Sequence, residues 1–437
     1  MFIHEKIAAK LPNWRERVQR LTSNYGSFQI SAVTVEQIYK GIRGVPIQVS
    51  DISYVDPQEG IRLRGYTIPE LLKLLPKAPG SEYPLTGGLF YLLLADELPT
   101  RQQALMVEEE WHKRATIPPY VFAMIDNLPP ETHPMTLFSM GILSMQNESV
   151  FSKEYTHGSV LKPDYWGLFL EDSLDLTART PELAAYIYNK KYREGKHIPP
   201  RNDLDLGANF AHMIGFGDNE DYHDLMRLFL ILHSDHEGGN VSAHACHLVG
   251  SALSDVYYAC SAGLNGLAGP LHGLANQECA RWLLSVREHF NGLPSEAELE
   301  AFAWEQLNEG KLIPGYGHAV LRTTDPRFTA QYRFADKCFP DDELFKLVKM
   351  VYKVLPDVLL RHGKTKNPWP NVDAINGCLQ YHYGVTQMDF YTVLFGLSRV
   401  LGFTAHLVWS RAVNKPIERP KSLTTRMLEA MVSEDRP

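Results

Sequence analysis

Three segments combine glycine, proline and ionisable residues, and we expect the chemistry of this chain to occur there. They are 265–273, 313–320 and 363–373, and they contain His272, His318 and Asp373 respectively. Loops that carry several turn residues together with titratable groups are common positions for functional sites. His318 follows Pro-Gly-Tyr-Gly, a backbone that can approach a ligand closely because its glycines have no side chains.

His272 stands next to a predicted helix start. Gly269-Pro270 predicts that a helix begins there, and the pattern continues through 275–290 to an Asn291-Gly292 stop. His272 would then lie in the first turn, where the positive end of the helix dipole disfavours an imidazolium. A neutral imidazole can donate a hydrogen bond to a carbonyl oxygen, a device that other enzymes use to stabilise an enol or enolate. The alternative is that His272 only caps the helix.

Asp373 follows Asn-Pro-Trp-Pro-Asn-Val, in which Trp369 and two prolines predict a rigid, partly dry wall. A carboxylate in such a place is a candidate functional group. Asp373 could instead be the N-cap of a helix that ends near Gly384. A capping carboxylate normally has a lowered pKa rather than a raised one, so the two interpretations predict opposite shifts.

Arg399 lies in a segment, 395–403, that predicts a helix apolar on nearly every face. A buried guanidinium is costly unless a carboxylate or a bound anion neutralises it, and no acidic residue lies nearby on this helix. We therefore expect an anionic ligand, which Arg327 at another predicted helix start would share. Two arginines paired with carboxylates would orient a small dicarboxylate. A phosphorylated co-substrate would need a local basic patch, for which the candidates are Arg322, Lys364 and Lys366.

Five of the 17 histidines lie close together in the sequence, which raises the alternative of a metal site. They are His233, His236, His244, His247 and His272. Pairs at this spacing can share a helix face, and histidine is a common zinc ligand. The spacing matches no specific zinc signature, however, and two glycines interrupt any helix that would join the pairs. We therefore favour packed, hydrogen-bonded roles for His233, His244 and His247, and a tight polar turn around His236.

The elements that position these residues are predicted to be almost entirely helical. Helix starts are indicated at Thr180-Pro-Glu, Ser295-Glu and Asp341-Asp-Glu, whereas the best strand pattern, 47–55, predicts a short hairpin arm. The longest apolar runs, such as 89–95, are too short to cross a membrane, so a transmembrane protein is excluded.

Composition and charge exclude further classes. The chain has 437 residues, of which 44% are apolar and 22% charged, as in a globular protein with two or three domains. A net charge of −8 disfavours nucleic acid as a partner. The five cysteines form no CxxC pair, so neither a disulfide framework nor a cysteine zinc site is expected. The N-terminus lacks a secretory signal and Glu5 is atypical of a transit peptide, so we expect a cytoplasmic protein, or a mitochondrial matrix protein if the chain is a processed form.

Longer phrases in the sequence resemble the citrate synthases of the eukaryote-like type. They are His-Ser-Asp-His-Glu-Gly-Gly-Asn-Val-Ser-Ala-His from position 233, Asn-Gly-Leu-Ala-Gly-Pro-Leu-His-Gly-Leu-Ala-Asn from 265, Pro-Gly-Tyr-Gly-His-Ala-Val-Leu-Arg from 314, Lys-Asn-Pro-Trp-Pro-Asn-Val-Asp from 366 and Ile-Glu-Arg-Pro-Lys-Ser from 417. The resemblance implies an all-α citrate synthase fold, a homodimer with a shared active site, and a cleft that closes. It also implies a large domain, 1–274 and 386–437, into which a small domain, 275–385, is inserted.

The resemblance further implies a role for each candidate in condensing acetyl-CoA with oxaloacetate and water to give citrate and CoA. Asp373 would remove a methyl proton, His272 would hydrogen-bond the thioester oxygen, and His318 would polarise the ketone and protonate the new alkoxide. Oxaloacetate would be bound by His236, Arg327, Arg399 and the partner subunit's Arg419. CoA would be bound by Leu271, Ile313, Gly315, Tyr316, Gly317, Arg322, Lys364, Lys366 and Asn371. No metal and no tightly bound cofactor is implied, and oxaloacetate is expected to bind before acetyl-CoA.

Two departures from the family pattern concern the site. After Asp373 the chain has Ala-Ile-Asn-Gly where eukaryotic relatives usually have Ala-His-Ser-Gly, so Ile375 and Asn376 change the surroundings of the base. The family's CoA-phosphate arginine is missing from 159–166, where Lys162 is the expected substitute as a point charge.

Two rival functions are compatible with parts of this pattern. A 2-methylcitrate synthase would use propionyl-CoA with the same residues, and one methylene changes a pocket's preference by only about 1–3 kcal/mol. A metal hydrolase built on the histidine cluster is the more distant rival. A non-catalytic scaffold would require the buried arginine and three ionisable loop residues to coincide by accident.

Overall fold

A computed structural model describes residues 2–318 and 320–434. Nearly all the regular secondary structure of these residues is helical. The chain is 64% helical and 3% strand, so the all-α prediction is confirmed. Met1, Ala319 and 435–437, which the predicted domain ranges include, lie outside the described residues. The division into a large and a small domain stays a prediction.

The first half of the described chain contains nine α-helices and a small sheet. The helices are α1 (Phe2–Tyr25), α2 (Val35–Tyr39), α3 (Ile68–Leu74), α4 (Thr86–Ala95), α5 (Arg101–Arg114), α6 (Pro119–Asp126), α7 (Pro134–Ser144), α8 (Val150–His157) and α9 (Tyr165–Tyr192). The strands are β1 (Ser53–Asp56), β2 (Gly60–Leu63) and β3 (Tyr66–Thr67), antiparallel in that order, with Ser53 opposite Leu63. The predicted hairpin is therefore present, but pairing begins at Ser53 and not at the start of 47–55.

The second half of the described chain contains eleven further helices. They are α10 (Leu206–Ala211), α11 (Glu220–Leu232), α12 (Val241–Ser251), α13 (Val256–Leu267), α14 (Ala275–His289), α15 (Glu296–Asn308), α16 (Pro326–Cys338), α17 (Glu343–His362), α18 (Asp373–His382), α19 (Tyr391–Ala412) and α20 (Thr425–Glu434). Short 3₁₀ turns occur at Met145–Glu148, Lys162–Asp164 and Met388–Phe390, and a π-helical turn at His212–Phe216.

Two of the three predicted helix starts are confirmed. Ser295 caps α15 with a reciprocal bond from Glu298, and the Asp342 carboxylate caps α17 by accepting from the Phe345 amide. The third is wrong, because α9 runs unbroken through Pro181. Proline removes the amide that would bond the carbonyl four residues back. The Thr180 hydroxyl donates to that carbonyl, on Thr177, at 3.0 Å, so the helix continues.

Helix α19 forms the centre of the large apolar core, which explains why it is apolar on every side. The stretch 388–412 is long and apolar enough to cross a membrane, but its most apolar part is 94% buried inside the protein, as in a core helix. Helices α9, α12 and α13 pack against α19. Arg399 enters this core from the middle of α19.

Candidate active site

Two arginines and four ionisable side chains lie around one point in the structure. The His236 and His318 rings have centroids 5.5 Å apart. Burial has the largest effect on the pKa values of these groups, and the arginine charges have a smaller one. The Arg327 charge shifts the pKa values of His236, His318 and Asp373. The Arg399 charge shifts those of His236, His272 and Asp373. Charge effects fall off with distance, so side chains that act on one another's pKa lie close together. The structure therefore brings together six of the predicted site residues from separate segments.

Arg399 is buried without a carboxylate partner. Its Nε donates to the His233 carbonyl oxygen at 3.1 Å, and its Cζ lies 4.7 Å from the centre of the Phe395 ring. Its Nη1 reaches Asn240 Oδ1 and Ser242 Oγ only at 3.5 and 3.4 Å. Among the described residues it has no ion pair within 4.0 Å, and burial lowers its pKa to about 10. The expectation of a buried cation that requires an anion agrees with this geometry.

Arg327 is also buried, but it has an internal partner that the sequence analysis missed. Asp325, which is fully buried, caps α16 through the Arg327 amide at 2.9 Å. Its carboxylate also accepts from Arg327 Nε at 3.1 and 3.2 Å and from Nη2 at 2.7 Å. This bidentate ion pair fixes the plane of the Arg327 guanidinium. It leaves Arg327 Nη1 without a hydrogen bond within residues 2–318 and 320–434. Arg327 therefore presents an oriented donor to the site.

His272 lies in a turn, and not in the first turn of a helix as predicted. Helix α13 ends at Leu267, α14 begins at Ala275, and the His272 amide donates to the Gly269 carbonyl at 3.0 Å. The predicted neutral state nevertheless holds for a different reason: burial, followed by the Arg399 charge, lowers the pKa of His272 to about 4. The interpretation of His272 as a helix cap is excluded because its ring does not contact the start of α14.

The tautomer of His272 follows from its neighbour Ser242. The Ser242 amide nitrogen lies 3.3 Å from His272 Nε2, and the Ser242 hydroxyl lies 2.9 Å from the same atom. A backbone amide can only donate, so Nε2 must accept and the ring proton must be on Nδ1. His272 is therefore a neutral donor from Nδ1.

His318 has the opposite tautomer. The amides of Val320 and Leu321 both donate to its Nδ1, at 3.0 Å each, so the ring proton is on Nε2. Burial, followed by the Arg327 charge, lowers the pKa of His318 to about 4. The pKa of His236 lies well below its usual value for the same reasons. Neutral imidazoles thus surround the two arginines.

Asp373 is the first residue of α18, and its carboxylate does not cap the helix. The Asn371 side chain does so instead, since its Oδ1 accepts from the Asp373 amide at 2.9 Å. Within the described part of the chain the Asp373 carboxylate makes no hydrogen bond and no ion pair. Burial raises its pKa to about 6. The capping interpretation, which predicts a lowered pKa, is therefore wrong.

The loop before His318 and the loop before Asp373 are held together by backbone bonds. The Gly317 amide donates to the Trp369 carbonyl at 3.2 Å, and the Asn371 amide donates to the Gly315 carbonyl at 2.9 Å. Gly315 has φ +80°, and a Cβ there would lie 2.8 Å from the Ala374 Cα, so only glycine fits. These bonds set the distance between the candidate acid and the candidate base.

Three of the residues predicted to bind CoA line an open groove beside this loop. The groove holds about 590 Å³ between α14 and residues 312–316, and Ile313, Gly315 and Tyr316 line it. Leu271 is fully exposed. Lys364 and Lys366 are exposed on either side of Thr365, which packs 3.7 Å from the Cβ position of Gly317.

Three other basic candidates stand differently in the structure. Arg322 donates from Nη1 to the Val320 and Leu321 carbonyls at 2.7 Å, and so supports the His318 loop. Lys162 is exposed before α9, and no contact joins it to the other candidates in the described ranges. Arg419 is exposed beside Glu418, which contacts His247, and the single chain does not bring it to the other site residues.

The histidine cluster divides between different environments. His233 donates from Nδ1 to the Phe229 carbonyl at 3.0 Å, whereas His244 and His247 both face Glu418, at 3.5 and 2.7 Å. This matches the packed, hydrogen-bonded roles that we predict for these three. Over the ranges that the structure describes, no group of three or more His, Cys, Asp or Glu side chains could hold a metal ion.

Sequence reasoning missed three residues that orient the site. Asp325 was recognisable only as part of a helix start, and Ser242 gave no signal because serine is common at the beginning of a helix. His233 was assigned a packing role, although its carbonyl holds Arg399. Each acts through a contact between residues far apart in the chain or through the backbone, which spacing does not reveal.

The pKa shifts predict that activity falls below about pH 6. Asp373 must be ionised to act as a base. Because its pKa is about 6, the carboxylate becomes protonated and loses this function as the pH falls below that value. The imidazoles of His272 and His318, with pKa values of about 4, stay neutral over the same range. We expect kcat/KM for the acyl donor to show one acid limb near pH 6. A limb set by histidine would remain in an Asp373→Asn variant, whereas this one would disappear from its residual activity.

Comparison with known proteins finds relatives over nearly the whole chain. The family model described as citrate synthase, C-terminal domain, matches residues 41–421. The chain is 50% identical over 431 residues to "Citrate synthase, mitochondrial" of Xiphias gladius, covering 98% of this chain and 92% of the relative. It is 51% identical over 431 residues to "Probable citrate synthase, mitochondrial" of Glossina morsitans morsitans, with the same coverage. The crystal structure of citrate synthase from Pyrobaculum aerophilum, 28% identical, superposes with a TM-score of 0.76 over 88% of this chain and 92% of that one.

The comparison also corrects one expectation. Both curated relatives are named mitochondrial proteins, so the prediction of a cytoplasmic protein is wrong by this comparison. Glu5, on which that prediction rested, lies in the ordered helix α1. The N-terminal composition is therefore that of a helix of the fold.

Proposed function

The chain belongs to the citrate synthase family and is an acyl-transferring enzyme, and we propose that it condenses acetyl-CoA with oxaloacetate through the residues described above. The observation that carries this assignment is the Asp373 carboxylate: it is unpartnered, has a raised pKa, and lies near two neutral imidazoles and two buried arginines. We propose the mitochondrial matrix as its compartment, because the relatives are named for it.

Oxaloacetate is a dianion, and the two arginines supply the charge that it requires. Arg399 has no carboxylate partner among the described residues, and Arg327 offers the Nη1 that Asp325 leaves free. His236 adds a neutral ring close enough for both arginines to lower its pKa. Binding the dianion would relieve the cost of the buried Arg399 charge. This gain is a source of energy for closing the cleft before acetyl-CoA binds, which gives ordered binding.

The thioester methyl is a very weak acid, so proton removal must be coupled to stabilisation of the oxygen. Asp373 takes the methyl proton while the Nδ1–H of His272 hydrogen-bonds the thioester oxygen, which gives a hydrogen-bonded enolate whose charge lies on oxygen, without a free carbanion. The enolate carbon attacks the oxaloacetate ketone: one carbon–carbon bond forms, and the electron pair of the ketone C=O bond moves to its oxygen as an alkoxide. The Nε2–H of His318 protonates the new alkoxide. Water then hydrolyses the thioester and releases CoA.

CoA would lie in the groove between α14 and residues 312–316. The basic side chains of Lys364 and Lys366 would face its phosphates, and Lys162 would serve as the point charge that replaces the family arginine. Leu271, fully exposed in the free chain, would be covered by the bound co-substrate.

We propose a homodimer in which the partner subunit's Arg419 completes the oxaloacetate site. Large apolar side chains are exposed near both ends of the described chain, including Phe28 at 72%, Ile30 at 78% and Met431 at 59%. Exposed apolar surface of this kind marks an interface. Arg419 itself lies on an exposed segment near the C-terminal end.

Release of the CoA thiol tests the substrate assignment. We expect acetyl-CoA to release thiol only when oxaloacetate is present, and propionyl-CoA to react at least about 10-fold more slowly, since one methylene is worth about 1–3 kcal/mol. A faster reaction with propionyl-CoA would assign the chain as a 2-methylcitrate synthase. Thiol release that is independent of oxaloacetate, or that a chelator abolishes, would contradict both assignments.

A further inference from the structure

We propose that Asn376 is a positioning residue: its amide holds His233 and thereby fixes the base on α18 relative to the anion-binding Arg399. The proposal rests on the roles assigned above to Asp373 and Arg399. Asn376 is 1% exposed and lies one helical turn after Asp373 on the same face of α18. It is also one of the two residues at which this chain departs from the family pattern beside the base.

The direction of the hydrogen bond between Asn376 and His233 is determined by the Phe229 carbonyl. His233 Nδ1 lies 3.0 Å from this oxygen, which can only accept, so the ring proton is on Nδ1. His233 Nε2 therefore carries a lone pair. Asn376 Nδ2 lies 3.2 Å from Nε2 and must be the donor. Burial lowers the pKa of His233 to about 3, so the ring remains neutral and the arrangement does not change near neutral pH.

His233 connects this bond to the rest of the site. Its carbonyl accepts from Arg399 Nε at 3.1 Å, and Arg399 Nη1 lies 3.4 Å from Ser242 Oγ. That hydroxyl lies 2.9 Å from His272 Nε2. A continuous series of contacts thus runs from the helix of the base through the arginine to the histidine at the thioester oxygen. Asn376 is the point where α18 joins it.

The side-chain amide of Asn376 makes no second hydrogen bond in the described structure. Its Oδ1 is buried and has no hydrogen-bond partner among the described residues. Ile375, the other departure, is fully buried and apolar and contributes packing only. Because a single bond holds the Asn376 amide, its loss would leave both the base and Arg399 free to shift. A misplacement of about 1 Å can cost about 10²-fold in rate.

Helix α18 supplies a matched control one turn further on. Gln380 is also fully buried, and its Oε1 accepts from the Tyr222 hydroxyl at 2.8 Å, which ties α18 to α11 in the same way. Tyr222 makes no contact with Arg399. Gln380→Leu and Asn376→Leu therefore each remove one buried amide bond of α18, the first to Tyr222 on α11 and the second to His233 directly after α11, but only the second breaks the connection to the site.

The test compares these variants in the full-length dimer by steady-state kinetics and by thermal unfolding. For Asn376→Leu we expect kcat to fall about 10-fold to 10²-fold and KM for oxaloacetate to rise, with KM for acetyl-CoA nearly unchanged. For Gln380→Leu we expect a similar loss of Tm and less than a twofold change in kcat. Asn376→Ser, which is small enough to admit a bridging water to His233, is expected to recover most of kcat.

Equal kcat losses in the two leucine variants at equal Tm would overturn the proposal, as would wild-type kinetics in Asn376→Leu. If Asn376→Leu does not fold, Asn376→Ala against Gln380→Ala gives the same comparison with less crowding. Asp373→Asn separates this proposal from the proposed function. If that variant keeps wild-type activity, the site assignment fails; if it is inactive while the Asn376 and Gln380 variants match, only the positioning role fails.

Discussion

Replacing Asp373 by asparagine is expected to lower kcat by about 10²–10⁴-fold, the usual contribution of a positioned base. The amide occupies nearly the same volume but cannot accept the methyl proton. Asp373 contacts neither arginine directly, so KM for oxaloacetate should change little. Steady-state kinetics of thiol release measure both values. Asp357→Asn is the control, because this exposed carboxylate on α17 pairs with Arg361 on the same helix, and it should behave as wild type.

The same variant should be at least as stable as the wild type at pH 7.5. The pKa of Asp373 is raised in the folded protein to about 6, so folding favours its protonated form. Its contribution to stability is present at low pH and is lost as the pH rises from about 4 to about 6. Asparagine, always neutral, avoids this loss. A large drop in Tm for Asp373→Asn would mean that the carboxylate has a structural partner, which would contradict its assignment as a free base.

Replacing Arg399 by methionine is expected to raise KM for oxaloacetate by about 10²-fold or more, because a buried charged hydrogen-bonding partner of an anion is typically worth about 2–5 kcal/mol. The free protein should lose little stability, since the substitution removes a buried cation that has no ion pair among the described residues. Thermal unfolding with and without oxaloacetate measures the effect independently. The ligand raises the Tm of the wild type by mass action, and this increase should disappear in the variant.

Arg411→Met is the matched control for this substitution. Arg411 lies on the same helix α19, is also buried, and has no hydrogen bond from Nε or Nη2 in the described structure. Its loss should leave KM for oxaloacetate near the wild-type value. Calorimetry adds a second readout, because acetyl-CoA should bind more tightly after oxaloacetate in the wild type and not in Arg399→Met. A normal oxaloacetate KM in Arg399→Met would contradict the anion site.

The sequence predicts the class of fold, and it singles out six residues that the structure brings together, but it does not predict their surroundings. Arg399 is identifiable because its burial cost depends only on the helix that contains it. The role of His272 stays a prediction, and its neutral state comes from burial and from Arg399, which lies far away in the chain. Its position in a turn could not be read, since the pattern from Gly269 onward fits a turn before a helix as well as a helix start.

Other features depended on contacts that no local pattern contains. Pro181 is typical of a helix start in the sequence. In the structure the helix continues because the Thr180 hydroxyl donates to the Thr177 carbonyl, which the proline leaves without an amide partner. Asp325 was hidden within a helix start because its second task, orienting Arg327, uses the same carboxylate as the cap. The domain division, the CoA residues and the shared dimer site come from the family resemblance, and these stay predictions.

The most direct test is the exchange of acetyl-CoA methyl protons with D₂O in the presence of a four-carbon dicarboxylate that cannot condense. It shows whether the Asp373 carboxylate removes the proton beside two neutral imidazoles. NMR of the thioester methyl group follows this step without the later ones. We expect exchange in the wild type only when the dicarboxylate is bound, and at least about 10²-fold slower exchange in Asp373→Asn. Exchange at the wild-type rate in that variant would contradict the central claim.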